Sequence, residues 1–137
     1  MSEYLRRTAE TELNDAIDSM RIVLISGARQ CGKTTLMKAL LSEKDLFLTF
    51  DDPETLRMAL AEPSSFLRPF LKKYRRIAID EVQKAPELFG YMKMIVDSNS
   101  VPGKFVITGS ANYKAMPTVN ESLAGRLGEV RLRTMTN

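Results

Sequence analysis

The sequence contains no histidine, and its 137 residues include a single cysteine, Cys31. Without an imidazole, the usual zinc sites are excluded, as is every hydrolase that activates its nucleophile through histidine. With one cysteine the chain cannot form an internal disulfide, which is consistent with a reducing compartment. Ser-His-Asp chemistry is therefore excluded, and any reaction must use other side chains.

Long hydrophobic runs are also absent. No apolar stretch approaches the length of a membrane span, and residues 1–17 are charged, without the apolar core and cleavage site of a signal peptide. The net charge is only +3, from 20 Lys and Arg against 17 Asp and Glu, which suits a polyphosphate but is too small to indicate nucleic acid. We expect a soluble, cytoplasmic protein with one core and no membrane partner.

A glycine-bearing loop is the strongest motif in the chain. Residues 27–34 read Gly-Ala-Arg-Gln-Cys-Gly-Lys-Thr and match the phosphate-binding pattern G-x-x-x-x-G-K-S/T, between an apolar run at 22–25 and a helix-forming run at 36–41. Backbone N–H groups of such a loop and the positive end of the following helix bind phosphate. We predict that Lys33 contacts the β- and γ-phosphates and that the Thr34 hydroxyl ligates Mg²⁺. The predicted cofactor-binding residues are Gly27, Ala28, Arg29, Gln30, Cys31, Gly32, Lys33, Thr34 and Thr35.

Two adjacent carboxylates end a second apolar run. Residues 76–79 lead directly into Asp80 and Glu81, a Walker B pattern. We predict that Asp80 holds Mg²⁺ through the water shell of the metal and that Glu81 orients and polarises the attacking water. A GTPase would need Asn-Lys-x-Asp for guanine, and residues 112–115 lack the aspartate. A small-molecule kinase remains an alternative, although such an enzyme has little use for a glutamate that activates water.

The pattern of apolar runs predicts a doubly wound α/β fold with a parallel five-stranded sheet. Strands are predicted near 22–25, 46–50, 76–79, 104–108 and 129–132, with short helices at 53–61 and 64–74 and a further helix opening at 86–88. Leu5, Leu13 and Ile17 indicate an amphipathic helix at the start. Ligands of such sheets lie at the carboxyl ends of the strands, so the loop, the carboxylate pair and Ser110 should share one cleft.

Four motifs together resemble the AAA-type ATPases, in a bacterial and archaeal branch with a G-x-R-Q-x-G-K-T-T loop. They lie at residues 27–35, 79–86, 107–110 and 121–126, and the resemblance covers about residues 16–132. It implies a P-loop NTPase fold of the AAA type, with ATP and Mg²⁺ as cofactors. It also implies that Ser110 is a polar sensor near the γ-phosphate and that Arg126 is an arginine finger, in the same or a neighbouring subunit. A turn-forming serine and a surface ion pair are the alternatives for these two residues, and Arg29 could contact phosphate or the neighbouring helix.

The resemblance also bears on domain organisation. Members of this branch resemble two-part molecules with a longer, often nuclease-like C-terminal region, whereas this sequence stops at Asn137. We expect an N-terminal helix at 1–19 and an ATPase domain at 20–137 that is truncated and has no C-terminal lid. The predicted function is ATP binding with Mg²⁺-dependent hydrolysis. The alternative is a nucleotide-dependent switch or interaction module with little turnover. The predicted partners, besides ATP, are further copies of the chain in a homo-oligomer and a nucleic acid or protein bound through the missing region.

Overall fold

The structure, a computed structural model, describes residues 3–27, 32–98, 101–109 and 125–132. Within these residues, helices and parallel strands alternate along the chain. The helices are α1 (Glu3–Ser19), α2 (Lys33–Leu40), α3 (Pro53–Ala61), α4 (Pro63–Phe66) and α5 (Leu88–Ser98). The strands are β1 (Ile22–Ser26), β2 (Asp45–Thr49), β3 (Arg76–Asp80), β4 (Phe105–Thr108) and β5 (Leu127–Arg131). Short 3₁₀ turns cover Arg68–Phe70 and Val82–Lys84.

The sheet has the order β2-β3-β4-β1-β5, and every pairing in it is parallel. This confirms the predicted α/β class and the five-stranded sheet. The order carries one feature that the chain order does not reveal. Because β4 lies between β1 and β3, the strand that precedes the phosphate loop and the strand that ends in Asp80 are not neighbours.

Two apolar layers cover the sheet, as expected for parallel strands with helices on both faces. Successive side chains of a strand point to opposite faces, and the core divides accordingly. One layer packs α3, α4 and α5 against alternate strand residues: Ile22, Leu24, Ile77, Ile79, Phe105 and Ile107. The other layer packs α1 and α2 against the intervening ones: Val23, Ile25, Ala78, Val106 and Val130.

Helix α1 lies on the sheet through Ala9, Leu13 and Ile17, which are all buried. Two of these residues were predicted from the helical period, and the side chain of Leu5 lies outside the described residues. No helix in the described part of the chain is both long and apolar enough to cross a membrane.

The predicted helix at 64–74 is wrong. The chain forms α4 and then the 3₁₀ turn Arg68–Phe70. Pro69 explains the break, because its ring clashes with the carbonyl four residues earlier and it has no N–H to donate. The last strand also begins earlier than predicted, at Leu127 instead of residue 129.

A buried carboxylate ties together the amino ends of β2 and β3. Arg75 donates two hydrogen bonds to Asp45, at 3.1 and 3.0 Å, the Ser42 N–H donates a third at 3.0 Å, and Arg76 lies 3.7 Å away. Burial alone would raise the pKa of Asp45, but the hydrogen bonds from Arg75 and Ser42 and the charges of both arginines lower it. Nearby, the buried Lys104 donates to the carbonyls of Leu71 and Tyr74 at 2.8 and 3.0 Å.

Candidate functional site

The carboxyl ends of β1, β4 and β3 lie side by side at one edge of the sheet. The register pairs Leu24 with Ile107 and Ile107 with Ile79, so the residues that follow these strands meet at the same level. Gly27, Gly109 and the carboxylates Asp80 and Glu81 are therefore brought together from three separate segments. Ligands of open parallel sheets bind at this edge.

The described part of the phosphate loop has the backbone geometry that the motif requires. Gly27 has φ 142° and Gly32, the N-cap of α2, has φ 91°, and L-residues with a side chain rarely adopt such values. Residues 28–31 lie outside the described residues. The first turn of α2 contains no acidic residue, so its positive end is not neutralised there. This terminus therefore favours an anion.

Lys33 lies at the point where β1 and β4 end. Its side chain is buried, and Nζ donates to the carbonyl oxygens of Gly27 at 2.8 Å and of Gly109 at 3.1 Å. Both acceptors are neutral, so the ammonium is oriented by them without its charge being cancelled. The next residue but one, Thr35, is exposed in the first turn of α2.

Asp80 is the centre of a hydroxyl cluster that only the folded chain could create. Its Oδ1 accepts from the hydroxyls of Thr34 at 2.9 Å and Thr108 at 2.7 Å, and its Oδ2 accepts from Thr49 at 2.9 Å. These donors come from α2, β4 and β2, and the carboxylate is 96% buried, as its 4% exposure shows. Thr49 and Thr108 were missed in the sequence. Thr49 ends β2 and lies opposite Asp80 in the parallel pairing of β2 with β3, a relationship that the sequence alone does not give.

The donor set around Thr34 and Asp80 fits Mg²⁺. One hydroxyl and one carboxylate in direct contact supply hard oxygen ligands, and Mg²⁺ usually takes one or two protein oxygens and completes its shell with water and phosphate. Where the structure describes the chain, no group of three or more His, Cys, Asp or Glu residues offers an all-protein metal cage. Thr34 and Asp80 would therefore supply part of a Mg²⁺ shell.

Glu81 is held in an unusual backbone conformation beside this cluster. It has φ 58° and ψ 46°, the left-handed region, and is the one non-glycine residue with positive φ among those described. Its N–H donates to the Thr108 hydroxyl at 3.1 Å, and its Oε1 accepts from Nε2 of Gln83 at 2.8 Å. A strained residue fixed by several neighbours is a frequent feature of functional sites.

Arg126 is not brought to this edge. It precedes β5, its carbonyl accepts from the N–H of Ile22 at the start of β1, and its guanidinium binds Asp97 at 2.6 and 2.9 Å. The length of β1 puts about 13 Å between the two edges of the sheet. Arg21 shares the same carboxylate at 3.6 Å. The interpretation of Arg126 as a finger for its own nucleotide does not fit this position, and Ser110 lies outside the described residues.

Comparison with known proteins bears on the fold and the family of the chain. Uncharacterized proteins of Mycobacterium tuberculosis and Mycobacterium bovis are each 36% identical over 132 residues, which is 96% of this chain and 29% of the relative. The chain thus spans less than a third of the length of these curated relatives. Both proteins extend well beyond the matched region.

Two solved structures share the fold. The Walker-type ATPase of Pyrococcus abyssi superimposes with a TM-score of 0.58 at 18% identity, covering 93% of this chain and 53% of that one. ORC2 of Aeropyrum pernix, in ADPNP and ADP complexes, gives 0.50 at 16% identity over 95% and 46%. At these identities the likeness concerns the fold alone. Residues 19–137 match the AAA domain family, and the chain therefore belongs to that family, with the fold of a P-loop NTPase.

Proposed function

We propose that this domain binds ATP and hydrolyses it in a Mg²⁺-dependent reaction. The observation that carries the proposal is the 2.9 Å contact between the Thr34 hydroxyl and the Asp80 carboxylate, next to the buried Lys33. Family membership and fold support nucleotide binding independently. The ADPNP and ADP in the ORC2 structure support adenine nucleotides as the ligand class.

The phosphate-binding part of the proposal assigns three roles. Backbone N–H groups around Gly32 and the end of α2 bind the β-phosphate. Lys33 turns from the carbonyls of Gly27 and Gly109 to the β- and γ-phosphates, where it meets full negative charge. Thr34 and Asp80 would hold Mg²⁺, which would supply positive charge to stabilise the phosphates.

The catalytic part assigns water activation to Glu81. Its carboxylate accepts a proton from the water that attacks the γ-phosphorus, and ADP leaves as the bridging P–O bond breaks. Ser110 follows Gly109, the carbonyl partner of Lys33, and this proximity in sequence supports its role as a sensor of the γ-phosphate. Arg126 serves as a finger only for the nucleotide of a neighbouring subunit.

The wider proposals concern the whole protein. We infer a cytoplasmic ATPase domain that works in a homo-oligomer and acts on a nucleic acid or protein through a region like the one by which the relatives extend beyond the match. Residues 1–19 form its N-terminal helix and residues 20–137 its ATPase domain. A nucleotide switch with little turnover is the competing function, because the side chains of Lys33 and Glu81 are both held by contacts within the protein.

Two measurements on the wild-type chain test the proposal. ATP affinity is measured by calorimetry with Mg²⁺ and with EDTA, and phosphate release is followed over time under both conditions. We expect tighter binding with Mg²⁺ and release only when Mg²⁺ is present. Binding without release would support the switch, and the absence of ATP binding would contradict both functions.

A further inference from the structure

Gln83 is a half-buried polar side chain next to Glu81, and it has no part in the proposed roles of Lys33, Thr34, Asp80 and Glu81. It lies in the 3₁₀ turn Val82–Lys84, which Glu81 begins. Its Nε2 donates to Oε1 of Glu81 at 2.8 Å. Its own Oε1 is buried, yet has no hydrogen-bond partner within the part of the chain that the structure describes.

An unpaired buried carbonyl has a cost that needs an explanation. Leaving such an acceptor without a donor costs about 1–3 kcal/mol in a typical protein, so these atoms are rare unless a ligand or water satisfies them. The two heteroatoms of an amide share one carbon, so this Oε1 lies within the reach of one water from the Glu81 carboxylate. A molecule with two hydrogen-bond donors can bridge the Oε1 of Gln83 and the carboxylate of Glu81.

Water is such a molecule, and its geometry matters for attack. When one O–H points to a carboxylate and the other to an amide oxygen, both hydrogens are occupied and a lone pair is directed away from the two acceptors. A neutral amide orients the carboxylate and leaves its negative charge unpaired, whereas a lysine would form an ion pair with it. The pair thus has the chemistry of a site for one oriented nucleophilic water.

We propose that Gln83 completes the site of the attacking water, by orienting Glu81 through Nε2 and by accepting a hydrogen bond from that water through Oε1. This inference rests on the proposed hydrolysis. The water oxygen forms the new bond to the γ-phosphorus as the bridging P–O bond to ADP breaks, and one proton passes to Glu81. The second proton stays on the oxygen, next to Gln83, and leaves with inorganic phosphate.

Three variants test the role of Gln83. Gln83→Met keeps the length of the side chain but removes both polar atoms, whereas Gln83→Glu keeps an acceptor and adds a second carboxylate beside Glu81. Lys84→Met is the matched control on the same 3₁₀ turn, because Lys84 is exposed and pairs with Asp51 at 2.8 Å. Single-turnover hydrolysis of Mg·ATP, ATP affinity and melting temperature are measured for each.

We expect both Gln83 variants to hydrolyse ATP about 10- to 100-fold more slowly, with affinity and melting temperature unchanged and with the control at the wild-type rate. A structural role would not predict the next result. In a Glu81→Gln background, Gln83→Met should have no further effect, because the residue acts on the same water as Glu81.

Three results would overturn the role of Gln83. The first is turnover at the wild-type rate in Gln83→Met, and the second is a loss of hydrolysis that weaker ATP binding or unfolding explains. The third is an equal loss of hydrolysis when Gln83→Met is made in the Glu81→Gln background. If the wild-type chain itself releases no phosphate, the proposed hydrolysis fails and takes this role with it. An active wild type with an active Gln83→Met refutes the role of Gln83 alone.

Discussion

The hydroxyl of Thr34 donates a 2.9 Å hydrogen bond to Oδ1 of Asp80, across 46 residues of sequence. Thr34 lies in the first turn of the helix after the phosphate loop, and Asp80 ends β3, which is not adjacent in the sheet to the strand that leads into that loop. The two predicted metal ligands are therefore in contact in the folded chain. The predicted role of Thr34 and Asp80 in holding Mg²⁺ can be tested by substitution.

The first prediction concerns the metal. Asp80→Asn removes the negative charge but keeps the size of the side chain, so we expect Mg²⁺ to improve ATP affinity in the wild type and to lose at least about tenfold of that effect in the variant. Calorimetry with Mg²⁺ and with EDTA measures the difference. Asp51→Asn is the control, an exposed carboxylate shortly after β2. An undiminished effect of Mg²⁺ in Asp80→Asn would remove Asp80 from the metal site.

The second prediction concerns Lys33. Lys33→Ala removes the charge that meets the β- and γ-phosphates, and we expect ATP binding to weaken by about 2 kcal/mol. It also removes the bonds to Gly27 and Gly109, so the free energy of unfolding should fall by about 1–2 kcal/mol while the fold is kept. The exposed Lys38, on the same helix, provides the control Lys38→Ala. Equal ATP affinities in wild type and Lys33→Ala would show that the loop is misassigned.

The third prediction concerns Arg126, whose guanidinium binds Asp97 at the edge opposite the phosphate loop. Within one chain it cannot reach its own nucleotide, so Arg126→Ala should leave turnover unchanged at concentrations where the protein is monomeric. If subunits assemble, a mixture of Arg126→Ala with Glu81→Gln should regain activity, because the second protein supplies the arginine and the first supplies the glutamate. Slower turnover by monomeric Arg126→Ala would refute this assignment, and so would an assembled mixture as inactive as its components.

The fourth prediction concerns stability and pH at Asp45. Breaking its pair with Arg75 leaves buried donors without a carboxylate, so Asp45→Asn should lower the free energy of unfolding at pH 7 by about 2–3 kcal/mol, less than for a fully buried pair because Arg75 is half exposed. The folded pKa of Asp45 lies below its unfolded value of about 3.9. Its contribution is thus complete above about pH 4 and is lost as the pH falls further.

Urea unfolding at pH 7 and pH 3 measures this dependence. The difference between wild type and Asp45→Asn should shrink at the lower pH. Asp51→Asn, which removes an exposed pair, should cost less than about 1 kcal/mol at either pH. A constant difference between the two pH values would mean that Asp45 stabilises the fold by packing and not by its charge.

The site residues that belong to short sequence motifs could be predicted, because each motif has a known local geometry. Lys33 and Thr34 follow a loop whose backbone geometry is nearly invariant for its chemistry, and Asp80 and Glu81 end an apolar strand, so their shared edge follows from parallel pairing. Thr49 and Thr108 were not predicted, because a threonine at the end of a strand is common. Their contacts with Asp80 depend on the strand order, which the chain order does not state.

Arg126 illustrates a different limit. The resemblance to a family motif gave Arg126 a chemical role but not a position. With β5 predicted to begin at residue 129, the sequence did not show at which edge of the sheet Arg126 lies. Because β5 begins at Leu127 and runs parallel to β1, the residue before it must lie at the amino ends of the strands. The prediction of a helix at 64–74 failed for a local reason instead, since Pro69 interrupts the helix there.

The role of Glu81 in activating water is tested most directly by the variant Glu81→Gln. The amide keeps the size and backbone of Glu81 but cannot accept a proton from water, so we expect Mg·ATP affinity within about threefold of wild type and a loss of phosphate release of at least about a hundredfold. Single-turnover phosphate release is measured beside ATP affinity in the two proteins. Phosphate release at the wild-type rate, or loss of Mg·ATP binding in Glu81→Gln while Asp80→Asn retains it, would contradict the assignment of Glu81 to water and of Asp80 to the metal.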